Sequence, residues 1–510
     1  MITHRNHTVI LTVILIFLFS GTALTAPRMN DDTITAAVEE ELLHDPVVEA
    51  FRIAVGCRDG VVELTGVAEN ILAKERSLNI AETVKGVRSV VNRIRVVPAG
   101  TRSDTIIRRD VIQALAGDPA VESYDIAVSV VDREVTLRGQ TDSFREKELA
   151  GTVAKSVAGV EALDNQINLV YPDDRRDKDI LADILAGLKW DLLVDHALIG
   201  VKVNDGQVTL SGTVGSAAEK TRANAVAWVT GVKAIDDGQL HVARWARDPD
   251  LRQGKYVSKT DEEIRQAVIA ALKTDPRVSM ENVLVTVADG TVTLRGTVDT
   301  LRARRAAAGD TVNTVGVYRY KNHLKVGEPE PGPSDSELEQ RIEAALERDA
   351  YVDGYEVHVD VRSGVAALYG RVDTGFEKIR AEDVAGTLPG IFAVENNILV
   401  SKGWYPHYYN PYVDVTELET YTWYEYGRAP RTTLKSDREI KRSIEEELWW
   451  SPFVSSDRID VRVDGGKAIL KGEVTSKTEY DAATENAWEG GATAVDNDLV
   501  ILGLLHPKKN

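Results

Sequence analysis

Residues 289–298 read Asp289-Gly290-Thr291-Val292-Thr293-Leu294-Arg295-Gly296-Thr297-Val298. Val292 and Leu294 alternate with Thr293 and Arg295, the period of a strand with one buried face. The Asp289-Gly290 dipeptide is a hairpin-turn signal, and Val283, Val285 and Val287 upstream supply the other arm. The same phrase recurs as Val62-Glu63-Leu64-Thr65-Gly66, Val135-Thr136-Leu137-Arg138-Gly139 and Val208-Thr209-Leu210-Ser211-Gly212. Turn dipeptides Asp59-Gly60, Asp205-Gly206 and Ser363-Gly364 sit just ahead of their own copies.

Working outward toward the N-terminus, each copy is preceded by an apolar stripe at i, i+4 and i+8, which lines one face of a helix. The stripes are Ile34/Val38/Leu42, Ile107/Val111/Leu115, Ile180/Ile184/Leu188, Ile264/Val268/Leu272, Leu338/Ile342/Leu346 and Ile440/Ile444/Leu448. Thirty-two residues after the first member of each stripe stands Gly66, Gly139, Gly212, Gly296, Gly370 and Gly472. Six coincidences at one spacing establish an internal repeat. The glycines read as structural, because no Gly-rich turn runs from strand to helix with Lys-Ser/Thr after it.

Toward the C-terminus each copy continues into an Ala/Glu/Arg-rich helix ended by Gly86, Gly159, Gly231, Gly316, Gly390 and Gly490 or Gly491, as a C-terminal helix cap should be. A last strand follows, carrying Asn92, Asn165, Asp237, Asn322, Asn396 or Asn497, read as a turn residue bonding its own backbone. The unit is α-β-β-α-β, roughly 70 residues, large enough to fold alone. The expected fold class is α+β: a tandem array of six small modules, each with two helices on a three-stranded mixed sheet.

An α-β-β-α-β unit with Asp-Gly-x-Val-x-Leu-x-Gly-x-Val, a Gly-Val about twenty residues later and a closing Asn-x-Ile/Leu resembles the BON domain, named from bacterial osmotically inducible periplasmic and nodulation proteins. The resemblance covers nearly all of the chain after its first residues. It implies a cell-envelope location, no enzyme activity, and binding of phospholipid or attachment to membranes.

The expected boundaries are a signal peptide at 1–26, modules at 31–98, 103–171, 175–245, 260–327, 334–402 and 436–503, a linker at 246–259 and an aromatic-rich insertion at 403–435. His4 and Arg5 precede an apolar run from Val9 to Phe19, followed by small residues at Gly21, Ala23 and Ala26. That run is short of the ~20 residues a spanning helix needs, so export with cleavage is expected and an uncleaved anchor is the alternative. A net charge of −19 argues against nucleic acid, whose binding requires clustered Lys and Arg. The single cysteine, Cys57, allows no internal disulfide and no cysteine-based metal site; it reads as a half-buried strand residue.

No paired carboxylates stand on an apolar background, no His-x₃-His pair follows the leader and no Gly-x-Ser-x-Gly elbow occurs. No catalytic residue, cofactor or metal is therefore expected, and an enzyme acting on an envelope polymer is the remote alternative. Two surfaces are candidates for binding. Module 4 alone is net basic, with Arg302, Arg304 and Arg305 at its second helix, Arg295 before it, and Arg319, Lys321 and Lys325 on its last strand. Arg302, Arg304, Arg305, Arg319 and Lys321 are the expected contacts to an anionic phospholipid or membrane surface. The second candidate is aromatic: Trp404, Tyr408, Tyr409 and Trp423 in the insertion, and Trp449 at the end of the sixth first helix. Leu43, Ala116, Lys189, Lys273 and Glu347 hold the position of Trp449 elsewhere, which predicts an exposed site. A tryptophan there is expected to pack on the insertion or to meet a membrane or an envelope protein, and the adjacent Trp450 to fold back over its own module. Scaffold or chaperone-like contact with envelope proteins, without lipid, is the alternative function.

Overall fold

The computed structural model describes residues 29–502, apart from 46, 99, 122–125, 173, 248–258, 329–331, 353, 402–434, 452–453 and 476. The signal segment and all but one residue of the insertion, with Trp404, Tyr408, Tyr409 and Trp423, lie outside the described residues.

Each apolar stripe forms a helix of the expected face. The first helices are Asp31–His44, Asp104–Gly117, Asp177–Trp190, Asp261–Thr274, Asp335–Arg348 and Asp437–Trp450. In modules 3 to 6 every stripe residue is buried. Ser, Thr or Asn caps start most of them, and Thr260 and Ser436 form capping boxes with Glu263 and Glu439. The second helices are Ile71–Thr83, Phe144–Lys155, Ala217–Ala227, Leu301–Val312, Gly375–Gly386 and Lys477–Glu489. Between and after them lie three strands per module, in module 4 Val283–Ala288, Thr291–Val298 and Arg319–Val326.

Six separate three-stranded sheets result, each with a hairpin pair antiparallel and the closing strand parallel to the second arm. The array is thus α+β and modular, as the repeat predicts. The helices cover one face of each sheet, and the alternating residues Val292, Leu294 and Leu324 enter the core beneath them. The other sheet face is left to solvent.

The first residue of each first helix has a second task. Asp31 Oδ2 and Oδ1 accept the N–H groups of Asp59 (2.8 Å) and Gly60 (3.0 Å) in the hairpin turn. Asp104, Asp177, Asp261, Asp335 and Asp437 make the same pair of bonds in their modules. The turn needs that support because Asp59 (φ 52°) and Gly60 (φ 73°) are both left-handed.

The glycine of the repeat ends the antiparallel ladder. A Cβ on Gly66, Gly212, Gly296, Gly370 or Gly472 would stand 1.8–2.1 Å from a backbone oxygen of the facing segment. All five have positive φ. The first strand of module 2 is shorter, Ala127–Val131, and its ladder stops before Gly139.

The closing-strand asparagines sit within the strand instead of in a turn. Asn322 Nδ2 donates to Arg304 O in the second helix (2.9 Å), and its Oδ1 accepts the N–H of Leu324 (3.1 Å). Asn92, Asn165, Asn396 and Asn497 repeat that clamp. They do bond the backbone two residues on, but the other half of the side chain holds a helix.

Modules also dock on one another, and odd modules differ from even ones. Arg76, Arg222 and Arg380 in the odd modules reach their own Asp45, Asp191 and Asp349 at 2.6–2.8 Å. Modules 2, 4 and 6 have Leu149, Ala306 and Ala482 in the arginine position. Pairs then form between odd and even. Ala158 N–H donates to Arg348 O (2.8 Å) and Ala350 N–H to Ser156 O (2.9 Å), joining module 2 to module 5. Val315 N–H donates to Trp190 O (2.9 Å) and Leu192 N–H to Asn313 O (2.8 Å), joining module 3 to module 4 at the equivalent positions. Module 6 meets module 1 with the roles of odd and even reversed: Lys85 Nζ, past the second helix of module 1, donates to Trp449 O in the first helix of module 6.

Candidate functional site

Charge decides which surface is special. On the open face of the module 4 sheet, Leu284, Arg295 and His323 lie in one row across the three strands, and Thr286, Thr293 and Lys321 in the next. Ala288, Thr291 and Arg319 form the third row, and Thr297 pairs with Lys325. Arg295, Arg319, Lys321, His323 and Lys325 are all exposed, and no carboxylate shares the face. None of the four Lys and Arg side chains makes an ion pair among the described residues. Leu284, 59% exposed, adds an apolar edge beside Arg295.

The equivalent faces of modules 2, 3, 5 and 6 are charge-balanced or acidic, and that of module 1 carries a carboxylate among its arginines. In module 1, Arg58, Arg93 and Arg95 share the face with Glu63, which pairs with Arg93 at 3.0 Å. Module 2 carries Glu134 and Asp164, and module 3 carries Asp236 opposite Thr209. Module 5 sets Asp360 against Arg362 at 2.8 Å and adds Glu395. Module 6 pairs Lys467 with Asp496 and Lys471 with Asp498.

The structure divides the predicted cationic set. Arg319 and Lys321 stand on this open face, and Arg304 is half-buried on the second helix. Arg302 and Arg305 do not face outward, which corrects the expectation that all three helix arginines form a membrane contact. Arg305 is 5% exposed and pairs with Asp383 and Glu382 of module 5. Arg302 pairs with Asp118 of module 2 at 2.5 Å. A second helix whose neighbours on both sides carry buried carboxylates cannot release its arginines to an external partner without stranding those carboxylates. Asp383 is held below the usual aspartate range against the effect of its burial, by Arg305 first and then Arg380 and Arg302.

Around these pairs lies a cavity of about 130 Å³ between modules 2, 4 and 5, lined by Arg302, Arg348, Arg380, Asp118, Asp349 and Asp383 among others. Three arginines and three aspartates balance one another, as befits a polar junction between domains. Among the described residues no group of three or more His, Cys, Asp or Glu is placed to hold a metal ion.

Trp449 is half-buried, which corrects the expectation of an exposed position. Its ring meets Trp450 edge-on at 4.7 Å between centroids, with Lys85 of module 1 at 4.6 Å and Arg244 at 5.3 Å from the ring centre. Trp450 packs against the core of module 1, not its own module. Both tryptophans are inter-module contacts, a use of cation–π and apolar area that comparison of the copies alone does not reveal. Cys57 is half-buried on its strand as expected; burial first, then Asp31, pushes its thiol up to about 11, so it is unreactive at neutral pH.

The BON domain family model matches residues 30–98, 103–171, 176–244, 260–328, 334–402 and 436–503. Osmotically-inducible protein Y of Escherichia coli (strain K12) is 30% identical over 145 residues, 27% of this chain and 72% of that protein. Two solved structures of CdsD, a structural protein of the Type III secretion system of Chlamydia trachomatis, align at 15% and 17% identity. They cover 42% and 44% of this chain and 100% and 93% of theirs, with TM-scores of 0.12 and 0.13, too low to carry an argument. The six family matches fall on the six structural modules, and the chain belongs to the BON domain family.

Proposed function

We propose that this chain is a non-catalytic protein of the bacterial cell envelope that attaches to anionic phospholipid surfaces through the open sheet face of its fourth module. The observation that carries the reading is the row of Arg319, Lys321, His323 and Lys325 beside Arg295, on a face without carboxylates. Each Lys or Arg held near an anionic leaflet contributes about 1 kcal/mol. Four of them give weak, salt-sensitive attachment, to which Leu284 adds apolar area at the edge. The rest of the molecule is acidic and is repelled by the same surface, so one face is set toward it.

The family and the likeness to an osmotically inducible protein support an envelope and stress-related role. No helix among the described residues is long and apolar enough to cross a membrane. Export would follow from cleavage near Thr22–Pro27, and N-terminal sequencing of the envelope-purified protein tests that step.

Attachment is tested by co-sedimentation of the mature chain with anionic and zwitterionic vesicles. Binding is expected to anionic vesicles alone, to weaken with salt, and to be lost in an Arg295→Ser/Arg319→Ser/Lys321→Ser/Lys325→Ser variant. Equal binding by that variant, or indifference to salt, refutes the reading and favours the alternative of a scaffold contacting envelope proteins.

A further inference from the structure

The second helices of modules 4 and 5 meet at Leu301 and Gly386. Leu301 enters the core of module 5, and a Cβ on Gly386 would stand 3.2 Å from Leu301 Cβ. Beside that contact the closing strands of the two modules border a cavity of about 260 Å³. Arg304 and Arg305 line it from the second helix of module 4, Tyr320 from the closing strand of module 4, and Phe392 and Val394 from module 5. The walls are firm. Tyr320 packs on the core of module 4 and Val394 on that of module 5. Asn322 Nδ2 holds the helix at Arg304 O, so the backbone that carries the guanidinium is anchored.

The cavity holds an uncommitted cation. Glu382, the carboxylate in its wall, is engaged by Arg305 Nη2 at 3.3 Å and by Asn396 Nδ2 at 3.3 Å. Arg305 is engaged further by Asp383. Arg304, half-buried, makes no side-chain hydrogen bond or ion pair among the described residues. Module 3 shows the alternative: its equivalent Lys220 pairs with Asp237 at 3.3 Å, and Asn322 stands in the place of that aspartate. The lining is also particular to this junction. Val90, Leu163, Ile235, Val394 and Val495 hold the place of Tyr320 in the other copies, and Arg88, Glu161, Lys233, Tyr318 and Thr493 that of Phe392. Water would satisfy Arg304 alone, but it does not satisfy the two rings and the leucine beside it.

We propose that this cavity is a binding site for a small organic acid, a carboxylate carried on an aromatic or branched apolar group. The guanidinium of Arg304 takes the carboxylate, whose two oxygens match its planar fork. Tyr320, Phe392 and Leu301 cover the apolar body. A volume of about 260 Å³ holds roughly nine heavy atoms, at the ~30 Å³ that a water occupies. Arg319 and Lys321, on either side of Tyr320 in the strand, draw anions toward the opening. The site is separate from the open sheet face and does not rest on attachment to a membrane.

Saturation-transfer NMR of the full mature chain with phenylacetate tests the proposal. Saturable binding in the millimolar range or tighter is expected. Acetate, which lacks the apolar body, and benzyl alcohol, which lacks the charge, should each bind at least about tenfold more weakly. Arg304→Gln should lower the affinity for phenylacetate at least about tenfold. Arg304→Lys and Tyr320→Val bring in residue types that the repeat already carries at those places, as in Lys74, Lys147, Lys220 and Lys378 or Val90, Val394 and Val495, so the fold is kept. Both should also weaken binding, the first because lysine offers a point charge in place of a fork. The Arg295→Ser/Arg319→Ser/Lys321→Ser/Lys325→Ser variant should still saturate with phenylacetate. No saturable binding below about 10 mM overturns the proposal. So does unchanged affinity in Arg304→Gln or in Tyr320→Val, acetate binding as tightly as phenylacetate, or loss of the acid in the open-face variant.

Discussion

Arg302 Nη1 of the fourth module lies 2.5 Å from Asp118 Oδ2 of the second, 184 residues away in sequence. Its neighbour Arg305 is engaged in the opposite direction, with Asp383 and Glu382 of the fifth. Removing one member of a buried ion pair costs about 3–5 kcal/mol, because the partner charge stays behind. Arg305→Ala should therefore destabilise the chain by roughly 3 kcal/mol in denaturant melts, and Arg302→Ala, less buried, by less. Neither should weaken sedimentation with anionic vesicles. A loss of vesicle binding without loss of stability would return these arginines to the membrane contact.

Gly296 and Gly56 both lie in strands and should respond differently to the same change. A Cβ on Gly296 would stand 1.8 Å from Asn282 O, and its φ is +117°. Gly296→Ala should cost about 3 kcal/mol or more, since strained backbone and a direct clash add. A Cβ on Gly56 would meet nothing within 4 Å and its φ is not left-handed, and Gly56→Ala should cost under about 1 kcal/mol. Thermal melts of the two variants side by side check the contrast.

Asp31 holds its hairpin turn only as a carboxylate. The N–H groups of Asp59 and then Gly60 keep it below the usual 3.8. A depressed carboxyl stabilises the fold above its unfolded value, and that contribution is lost as pH falls through the lowered folded value. Asp31→Asn should lower the unfolding temperature at pH 7 by roughly 2–4 °C. The difference should shrink as pH falls from the ordinary carboxyl value through the lowered folded one.

Asp310 has the opposite sign. Its Oδ2 is buried without a hydrogen-bond partner among the described residues, and burial followed by Asp275 pushes it up to about 8. Arg145 of module 2, Arg277 and Arg222 of module 3 oppose that push only in part. A raised carboxyl costs stability as pH climbs above the ordinary 3.8 toward the raised value. Asp310→Asn should therefore raise the unfolding temperature at pH 8.5 by roughly 2 °C or more and change little at pH 4. Differential scanning calorimetry at the two pH values measures it.

The elements were legible because each carries its own signal at short range: Ile264/Val268/Leu272 for a helix, Val292 and Leu294 for a strand, Asp289-Gly290 for the turn between arms. The clamp from Asp261 to that turn follows a constant spacing too, and aligning the six copies on their acidic first helical residue would have found it. The contacts between modules were less legible. Arg302 and Arg305 look like any basic run until Asp118 and Asp383 are seen beside them, and those partners lie in other copies at no fixed distance. One signal did exist: arginine alternates with Leu149, Ala306 and Ala482 at a single position, which separates odd copies from even ones. The open face of module 4 was half legible, since Arg319 and Lys321 were on it, but the strand register was needed to exclude carboxylates from their rows.

Because modules pair 3 with 4, 2 with 5 and 1 with 6, the array closes like a folded strip whose crease is in its middle. The pair nearest the crease is complete soon after its second member is made. Module 1 must wait: Lys85 meets Trp449 only after 364 further residues have been added. During that interval its half of the contact, with the surface that receives Trp450, has no cover. Long-range contacts of this kind form slowly, and apolar surface left open meanwhile invites mispairing. Fluent assembly of this chain is therefore most vulnerable at its two ends, and a truncation that removes only the last module leaves uncovered the surface of the first that receives Trp450.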